Sequence, residues 1–570
     1  MRFRLGLLLL PILAGIAFLP VEPAQRSPTP RLAVLVVFDQ MRGDYLDRWQ
    51  DLYSADGFRR LEANGARFTN CHYPYAMTAT GPGHASILSG CSPDRHGIVA
   101  NTWYDRGEAF PAYCATSARY ERIPPLPKLP APKTDAKKDE PSEKQPPGFG
   151  APVRMLTPTL GDVVKEVTRG RGKVFGLSLK DRSAILPAGL HPDGCYWFDR
   201  GQFVTSTYFR DRLHPWVGRF NEERLADRWF GQSWTQLRPE IDYAPFSGPA
   251  EQPGAGSGAS QGRVFPHPLG EKKQLGSEYF SALANSPFGN DLLLDLAERA
   301  IVEEQLGQRD NPDLLIISFS SNDLVGHTWG PDSQEVMDVT LRSDLIVRDL
   351  LRFLDEQVGK GKYLLALTAD HGICPLPEVA QKLGHPAGRI VPLGLGSAAE
   401  AHLSESLGKS QNERTRWIES ATTEGGIYLN QRAIAARGLK LDAVASELAA
   451  WLATQPGMLA AYTRAQLLGQ IPESDAIGKR VQKSFHPERS GDVLLVTQPY
   501  YFITSLKTGT THGSPHPFDT YVPLVLVGPG IKPGRYDEAV TPQATAAILA
   551  RSLGLPAPEK AEVEVPESLR

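Results

Sequence analysis

Three aspartates and three histidines, Asp39, Asp323, His327, Asp370, His371 and His512, stand after apolar runs or inside glycine-flanked turns, scattered over most of the 570-residue chain. Carboxylate oxygens mixed with imidazole nitrogens form a donor set suited to zinc, which manganese or iron also accept. Asp323 and His327 stand at i and i+4 in Asp323-Leu324-Val325-Gly326-His327, close enough to grip one ion. The adjacent Asp370 and His371 can grip another from a turn. Two metals about 4 Å apart clamp the attacking and leaving oxygens of an in-line phosphoryl transfer. Taken singly, an Asp-His pair is more often a capped turn; the joint pattern is what predicts a two-metal hydrolase.

Such a centre needs an oxygen nucleophile. A hydroxyl at a helix start meets orphan backbone amides and the helix dipole, both of which favour an approaching anion. Thr80 fits, in Thr78-Ala79-Thr80-Gly81-Pro82-Gly83-His84, where Gly81 and Gly83 keep the backbone open and Pro82 fixes the entry to a helix over 83–88. An N-cap role for Thr80 explains this segment equally well, and Thr78 is the second choice. His84 and His96 fit no ligand position and read as structural.

The elements that must position these residues follow from hydrophobic patterning. Near-continuous apolar runs over 33–38, 314–319 and 363–369 read as buried parallel strands, so the ligands after them emerge at strand C-termini. In open α/β sheets that edge is where ligands bind. A further strand over 173–179 ends at Lys180-Asp181-Arg182. Helices are expected over 58–64, 290–305, 334–358, 441–454 and 542–553, with strands over 426–429, 501–506 and 522–527. The fold class is α/β, a mostly parallel central sheet flanked by helices. Residues 31–390 and 491–560 form the two parts of this core, and 391–490, without a ligand-rich turn, an inserted α/β cap. The stretch 124–152 carries nine prolines among mixed charges; this and the Gly/Ser/Pro/Gln-rich stretch 247–276 read as flexible insertions.

Several of these pieces together resemble a known family. Phe38-Asp39, Thr80-Gly81-Pro82-Gly83-His84, Asn101, Ser178-Leu179-Lys180-Asp181-Arg182, Asp323-Leu324-Val325-Gly326-His327, Thr368-Ala369-Asp370-His371-Gly372 and Thr511-His512-Gly513 occur in the order found in the alkaline phosphatase superfamily. The match is to its bacterial phosphate-irrepressible branch with a threonine nucleophile, related to the type I phosphodiesterases and nucleotide pyrophosphatases. The resemblance implies an alkaline-phosphatase-like core with two Zn2+ ions. One would be held by Asp323, His327 and His512, and the other by Asp39, Asp370, His371 and the Thr80 oxygen. Asn101, Lys180 and Arg182 would contact the phosphoryl oxygens. The dianion of a phosphate monoester carries a charge that a diester lacks, and two cations match it. Diester-specialised members lack this Lys/Arg pair, so phosphate monoesters are the expected substrates. A phosphodiesterase or nucleotide pyrophosphatase on the same core is the nearest rival. An inactive zinc-binding protein is the rival from another class, and a sulfatase is disfavoured because the Thr80 segment lacks a formylglycine motif.

The bulk numbers bound this reading. A formal net charge of -3, with 22% charged and 41% hydrophobic residues, gives no basic excess for nucleic-acid binding. Arg2 and Arg4 precede an apolar run over 5–19, so 1–25 reads as a signal peptide. A periplasmic or secreted protein follows, with an uncleaved N-terminal anchor as the alternative and no other membrane contact. A monomer acting on small phosphate esters is expected. Cys71, Cys91, Cys114, Cys195 and Cys374 are too few for a disulfide scaffold; a bridge such as Cys71 to Cys91 and burial as small hydrophobes are both open.

Overall fold

The computed structural model describes residues 29–126, 148–270, 275–410 and 412–570. The expected signal peptide, 1–25, and most of the proline-rich stretch 124–152 lie outside the described residues. Ten strands build the central sheet: β1 (Leu32–Phe38), β2 (Ala66–Cys71), β3 (Arg122–Ile123), β4 (Val174–Ser178), β5 (Gly194–Asp199), β6 (Gln202–Ser206), β7 (Asp313–Phe319), β8 (Tyr363–Thr368), β9 (Leu524–Val527) and β10 (Gly534–Val540). Their order is β10-β2-β9-β8-β1-β7-β4-β5-β6-β3. The centre, β8 through β5, is parallel, and β9, β6 and β3 add antiparallel pairings towards the edges.

Every residue of β1, β7 and β8 is buried. This is why their sequences read as continuous apolar runs: helices cover both faces, and burying each Val, Leu or Ile contributes about 1.5–3 kcal/mol. The pairings Phe38↔Phe319, Val37↔Thr368 and Ser318↔Ser178 align the C-terminal ends of β1, β7, β8 and β4 at one edge. Helices α1 (Thr80–Ser89), α2 (Asp181–Ile185), α3 (Pro287–Glu303), α4 (Ser321–Trp329) and α5 (Gln334–Leu354) flank the sheet, and α1, α2 and α4 begin at that edge.

The cap has its own apolar core, with Leu403, Trp417, Ile427 and Leu448 among the buried residues. Its four-stranded sheet joins Ile418–Ala421, Gly426–Leu429, Met458–Thr463 and Val493–Thr497. The cap sheet therefore runs past the expected boundary at 490. Tyr501–Ile503, expected to resume the core, instead pairs in parallel with Gly388–Ile390 in a separate two-stranded sheet.

Within the stretch 247–276, Gln252, Gln261 and His267 are buried, and His267–Pro268 pairs with Ser233–Trp234. Gln261 Nε2 donates to the Ala282 and Asn285 carbonyls at 3.2 and 3.1 Å, and the His267 ring packs against Trp234, Phe265 and Trp329. Tertiary partners satisfy a segment whose composition alone suggested none. All five cysteines are buried and unpaired, so Cys71 and Cys91 form no bridge.

Candidate metal and phosphoryl-transfer site

The aligned strand ends carry the site. Asp39 follows β1 directly, Asp370 and His371 follow β8 within three residues, and Lys180 stands between β4 and α2. Asp323 and His327 occupy one face of α4, with His327 Nε2 3.1 Å from Asp323 Oδ1. His512 arrives on the loop before the helical turn Pro517–Thr520. Asp323, His327 and His512 offer ligand atoms within 4.8 Å of one another, and so do Asp39, Asp323 and His371. The first group is the set expected for one ion. In the second, Asp323 stands where Asp370 was expected, although Asp370 Oδ2 lies only 3.3 Å from His371 Nε2.

Each imidazole is oriented the same way. Nδ1 of His327, His371 and His512 donates to a backbone carbonyl, of Thr510, Gly372 and Thr78 respectively, at 2.7 to 2.8 Å. That bond fixes the tautomer and turns each Nε2 into the site, as metal-ligating histidines require. The His371 and His512 rings stack with centroids 3.5 Å apart. Burial, then the neighbouring His371 and His327 rings, hold His512 well below the ordinary imidazole range, and burial lowers His371 as well. Both are thereby kept neutral, the form that ligates a metal.

Three buried carboxylates share this space. Burial pushes Asp39 well above the ordinary carboxyl range, and the Asp370 charge adds to the push. Burial acts the same way on Asp323, but His327 and Lys180 outweigh it and hold Asp323 low. Asp39 Oδ1 and Asp370 Oδ2 are buried with no hydrogen-bond partner. An unsatisfied buried carboxylate oxygen is costly unless a cation meets it. These orphan oxygens, with inward imidazole nitrogens beside them, fit a pair of divalent cations.

Lys180 and Arg182 occupy different places. Lys180 Nζ donates to Asp39 Oδ2 at 2.7 Å and Asp323 Oδ2 at 2.5 Å, among the carboxylates rather than beside the nucleophile. Arg182 Nη2 points to Thr80 Oγ1 at 3.3 Å, and Nη1 is held by the Tyr113 hydroxyl at 3.1 Å. Thr80 is the first residue of α1; Ala79 is its N-cap residue, and no side chain caps the helix. Its hydroxyl lies 3.4 Å from His371 Nε2, so it faces the site rather than the helix end. Thr78 instead spends its hydroxyl on the Ser514 carbonyl at 2.9 Å. Asn101 Oδ1 accepts from the Gly81 N–H at 2.7 Å, leaving its NH2 as the remaining donor.

Supporting residues absent from the sequence reading are Gln40 and the shell around His84. Gln40 adopts φ 71, donating from its backbone to Asp370 Oδ1 at 3.0 Å and from Nε2 to Asp323 Oδ1 at 2.6 Å. A left-handed glutamine is strained, and such strain persists where surrounding bonds over-determine it. A polar residue two positions past a buried strand was the available signal. His84 donates from Nδ1 to the Thr80 carbonyl at 2.9 Å, with Asp370 Oδ2 at 3.1 Å, and its Nε2 meets Ser318 Oγ at 2.8 Å. His96 Nε2 lies 3.0 Å from Ser86 Oγ. Gly83 permits the close approach of α1 to the Asp370 turn: a Cβ there would stand 2.2 Å from the Asp370 carbonyl oxygen.

Above this floor opens a cavity of about 390 Å3, with Thr80, Asn101, Arg182, His327 and His512 at its base and cap residues such as Glu424 and Tyr428 on its wall.

Comparison with known proteins bears on this geometry. The family model for type I phosphodiesterase / nucleotide pyrophosphatase matches residues 33–519. Alkaline phosphatase PafA of Elizabethkingia meningoseptica is 32% identical over 536 residues, 93% of this chain and 92% of the relative. Alkaline phosphatase PhoV of Synechococcus elongatus is 32% identical over 520 residues, 90% and 89% of the two chains. The crystal structure of wild-type PafA superposes with a TM-score of 0.84 at 31% identity, covering 95% of this chain and 99% of that one. The aligned strand ends, the Asp/His cluster and the Thr80 helix start thus lie on a shared fold, and the chain belongs to the type I phosphodiesterase / nucleotide pyrophosphatase family of the alkaline phosphatase superfamily.

Proposed function

We propose that this chain is a zinc-dependent alkaline phosphatase that hydrolyses phosphate monoesters through a phosphothreonine at Thr80, for phosphate scavenging outside the cytoplasm. The observation that carries the reading is the position of Thr80 Oγ1 at a helix N-terminus, with Arg182 Nη2 at 3.3 Å and His371 Nε2 at 3.4 Å. Asp323, His327 and His512 would hold one cation, and Asp39, Asp370 and His371 the other, with Asp323 near both. When bound, two divalent cations neutralise phosphoryl charge and acidify oxygen nucleophiles.

Thr80 Oγ1 attacks phosphorus as the bond to the leaving alcohol oxygen breaks, and water then attacks the phosphothreonine, releasing phosphate and regenerating the hydroxyl. Arg182, Lys180 and the Asn101 NH2 bind non-bridging oxygens, and Lys180 also lies beside the carboxylates of Asp39 and Asp323. The named relatives are both alkaline phosphatases, which supports a monoesterase over the diesterase reading. Export is supported by the apolar run over 5–19, and no helix among the described residues is long and apolar enough to cross a membrane.

Thr80→Ala tests the reading. Its kcat on an aryl phosphate should fall at least about a thousandfold while two zinc ions per chain are retained, and acid-quenched wild type should carry phosphate on Thr80. Retained turnover in the variant, or faster hydrolysis of the methyl diester than of the aryl monoester by wild type, would overturn it.

A further inference from the structure

The loop bearing Asn101 is gripped by the cap. The hairpin turn between Ile418–Ala421 and Gly426–Leu429 is closed by Gly425 at φ 76 and carries Glu424. Glu424 Oε1 accepts from the Asn101 N–H at 2.9 Å, and Oε2 accepts from the Thr102 N–H at 3.3 Å. One carboxylate thus spans two consecutive amides, and hydrogen bonds to an ionised acceptor are roughly twice as strong as neutral ones. The same Asn101 turns its side-chain oxygen to the Gly81 N–H, next to the nucleophile. An unbroken path of bonds runs from the cap through Asn101 to the first turn of α1.

Other contacts dock the cap without touching Asn101. Arg106 bonds Asp492 through Nη2 and the Leu429 carbonyl through Nη1, and Ser484 Oγ accepts from the Ala76 and Met77 amides. Glu424 differs from these because its partner is a residue expected to hold the phosphoryl group.

We infer that Glu424 is a positioning residue: from the cap, it sets the Asn101 amide against the phosphoryl oxygens. This rests on the phosphatase reading above. Asn101 would reach its working geometry only with the cap hairpin docked, so the cap serves the chemistry as well as walling the cleft. Geometry of this kind matters because small displacements of a positioned donor cost rate steeply.

A double-mutant cycle on the full-length, metal-loaded chain tests it, with Glu424→Ala, Asn101→Ala and the pair. Glu424→Ala should lower kcat/KM for an aryl phosphate by at least about tenfold and weaken competitive inhibition by inorganic phosphate, with metal content unchanged. In the Asn101→Ala background the same change should cost less than about twofold. Glu424→Gln, which keeps one acceptor for the Asn101 N–H, should recover part of the loss and serves as the probe if the alanine variant does not fold. Arg106→Ala, which loosens the cap elsewhere, should combine additively with Asn101→Ala. Additive losses for the Glu424 and Asn101 changes, or unchanged phosphate inhibition, would overturn the role. Both results are readable only as a failure of this inference, since the Thr80→Ala test stands apart from them.

Discussion

At the scale of single residues, the two cations after β4 stand in different surroundings. Lys180 lies beside Asp39 and Asp323, and those carboxylates raise its pKa against the effect of burial. Arg182 faces the nucleophile, and its guanidinium is braced by Tyr113, whose hydroxyl donates to Asp181 Oδ1 at 2.6 Å. Burial alone would weaken the charge of Arg182; Tyr113 and Asp181 outweigh it and raise its pKa, so it stays ionised throughout the working range. A monoester dianion presents more charge to that fixed guanidinium than a diester does. Arg182→Ala should therefore lower kcat/KM for aryl phosphate by a hundredfold or more, about 3 kcal/mol, the cost of losing one preorganised donor. The loss on the methyl aryl diester should stay within about tenfold. Comparing the two rate constants in the variant and the wild type measures the difference, and equal losses would remove the argument for monoester preference.

At the scale of elements, the loop bringing His512 into the site is held by a buried carboxyl. Asp519, on the turn Pro517–Thr520, accepts from the Ser514 N–H at 2.9 Å and from Ser514 Oγ at 2.5 Å, while its other oxygen has no partner. Burial pushes this carboxyl up to about 7. The native state then holds a proton that the unfolded chain releases from about pH 4 upward, so stability falls as pH rises and levels off above about pH 7. Asp519→Asn keeps an acceptor for Ser514 and removes the titration. Thermal unfolding of the metal-loaded protein between about pH 5 and pH 8 should show the variant losing less stability than the wild type; parallel curves would contradict the assignment. The fate of Asp519 was not legible in the sequence, whereas β1, the helix Phe58–Asn64 and the cap strand Gly426–Leu429 were. Those elements advertise themselves through local periodicity. In the stretch 247–276, buried Gln261 and His267 find distant partners, which composition cannot register. Tyr501–Ile503 misled because a short apolar run looks alike in any sheet. The cluster of Asp323, His327 and His512 was legible because chemistry restricts the residue types that could hold a cation. Gln40 and Glu424 act through bonds to sites hundreds of positions away, which local periodicity does not register.

At the scale of the whole molecule, the site is a meeting point rather than a local motif. Its side chains come from positions 39 to 512, on the ends of β1, β4 and β8, the first turn of α1, the length of α4 and the loop before Pro517. Each joins the others across the C-terminal edge of one sheet, so whatever binds there ties the whole core together. Three carboxylates are crowded into that space with two orphan oxygens, against the single ammonium of Lys180. Burying like charges so closely is unfavourable, and a cation that binds only the folded chain offsets it. By mass action, each ion present at 100 times its dissociation constant adds about 2.7 kcal/mol to stability. Removing both ions with a chelator should therefore abolish phosphatase activity and lower the Tm by several degrees, as an increment of that size does in a large chain. Zinc should restore both in parallel, with two equivalents needed for full recovery. The restoration should fail for Tm in a variant lacking both Asp39 and Asp370, because those residues carry the orphan oxygens that the ions satisfy. A Tm indifferent to chelation, measured beside metal analysis of the same samples, would mean that the carboxylate cluster is stabilised by the protein alone and that the two-cation reading of the fold is wrong.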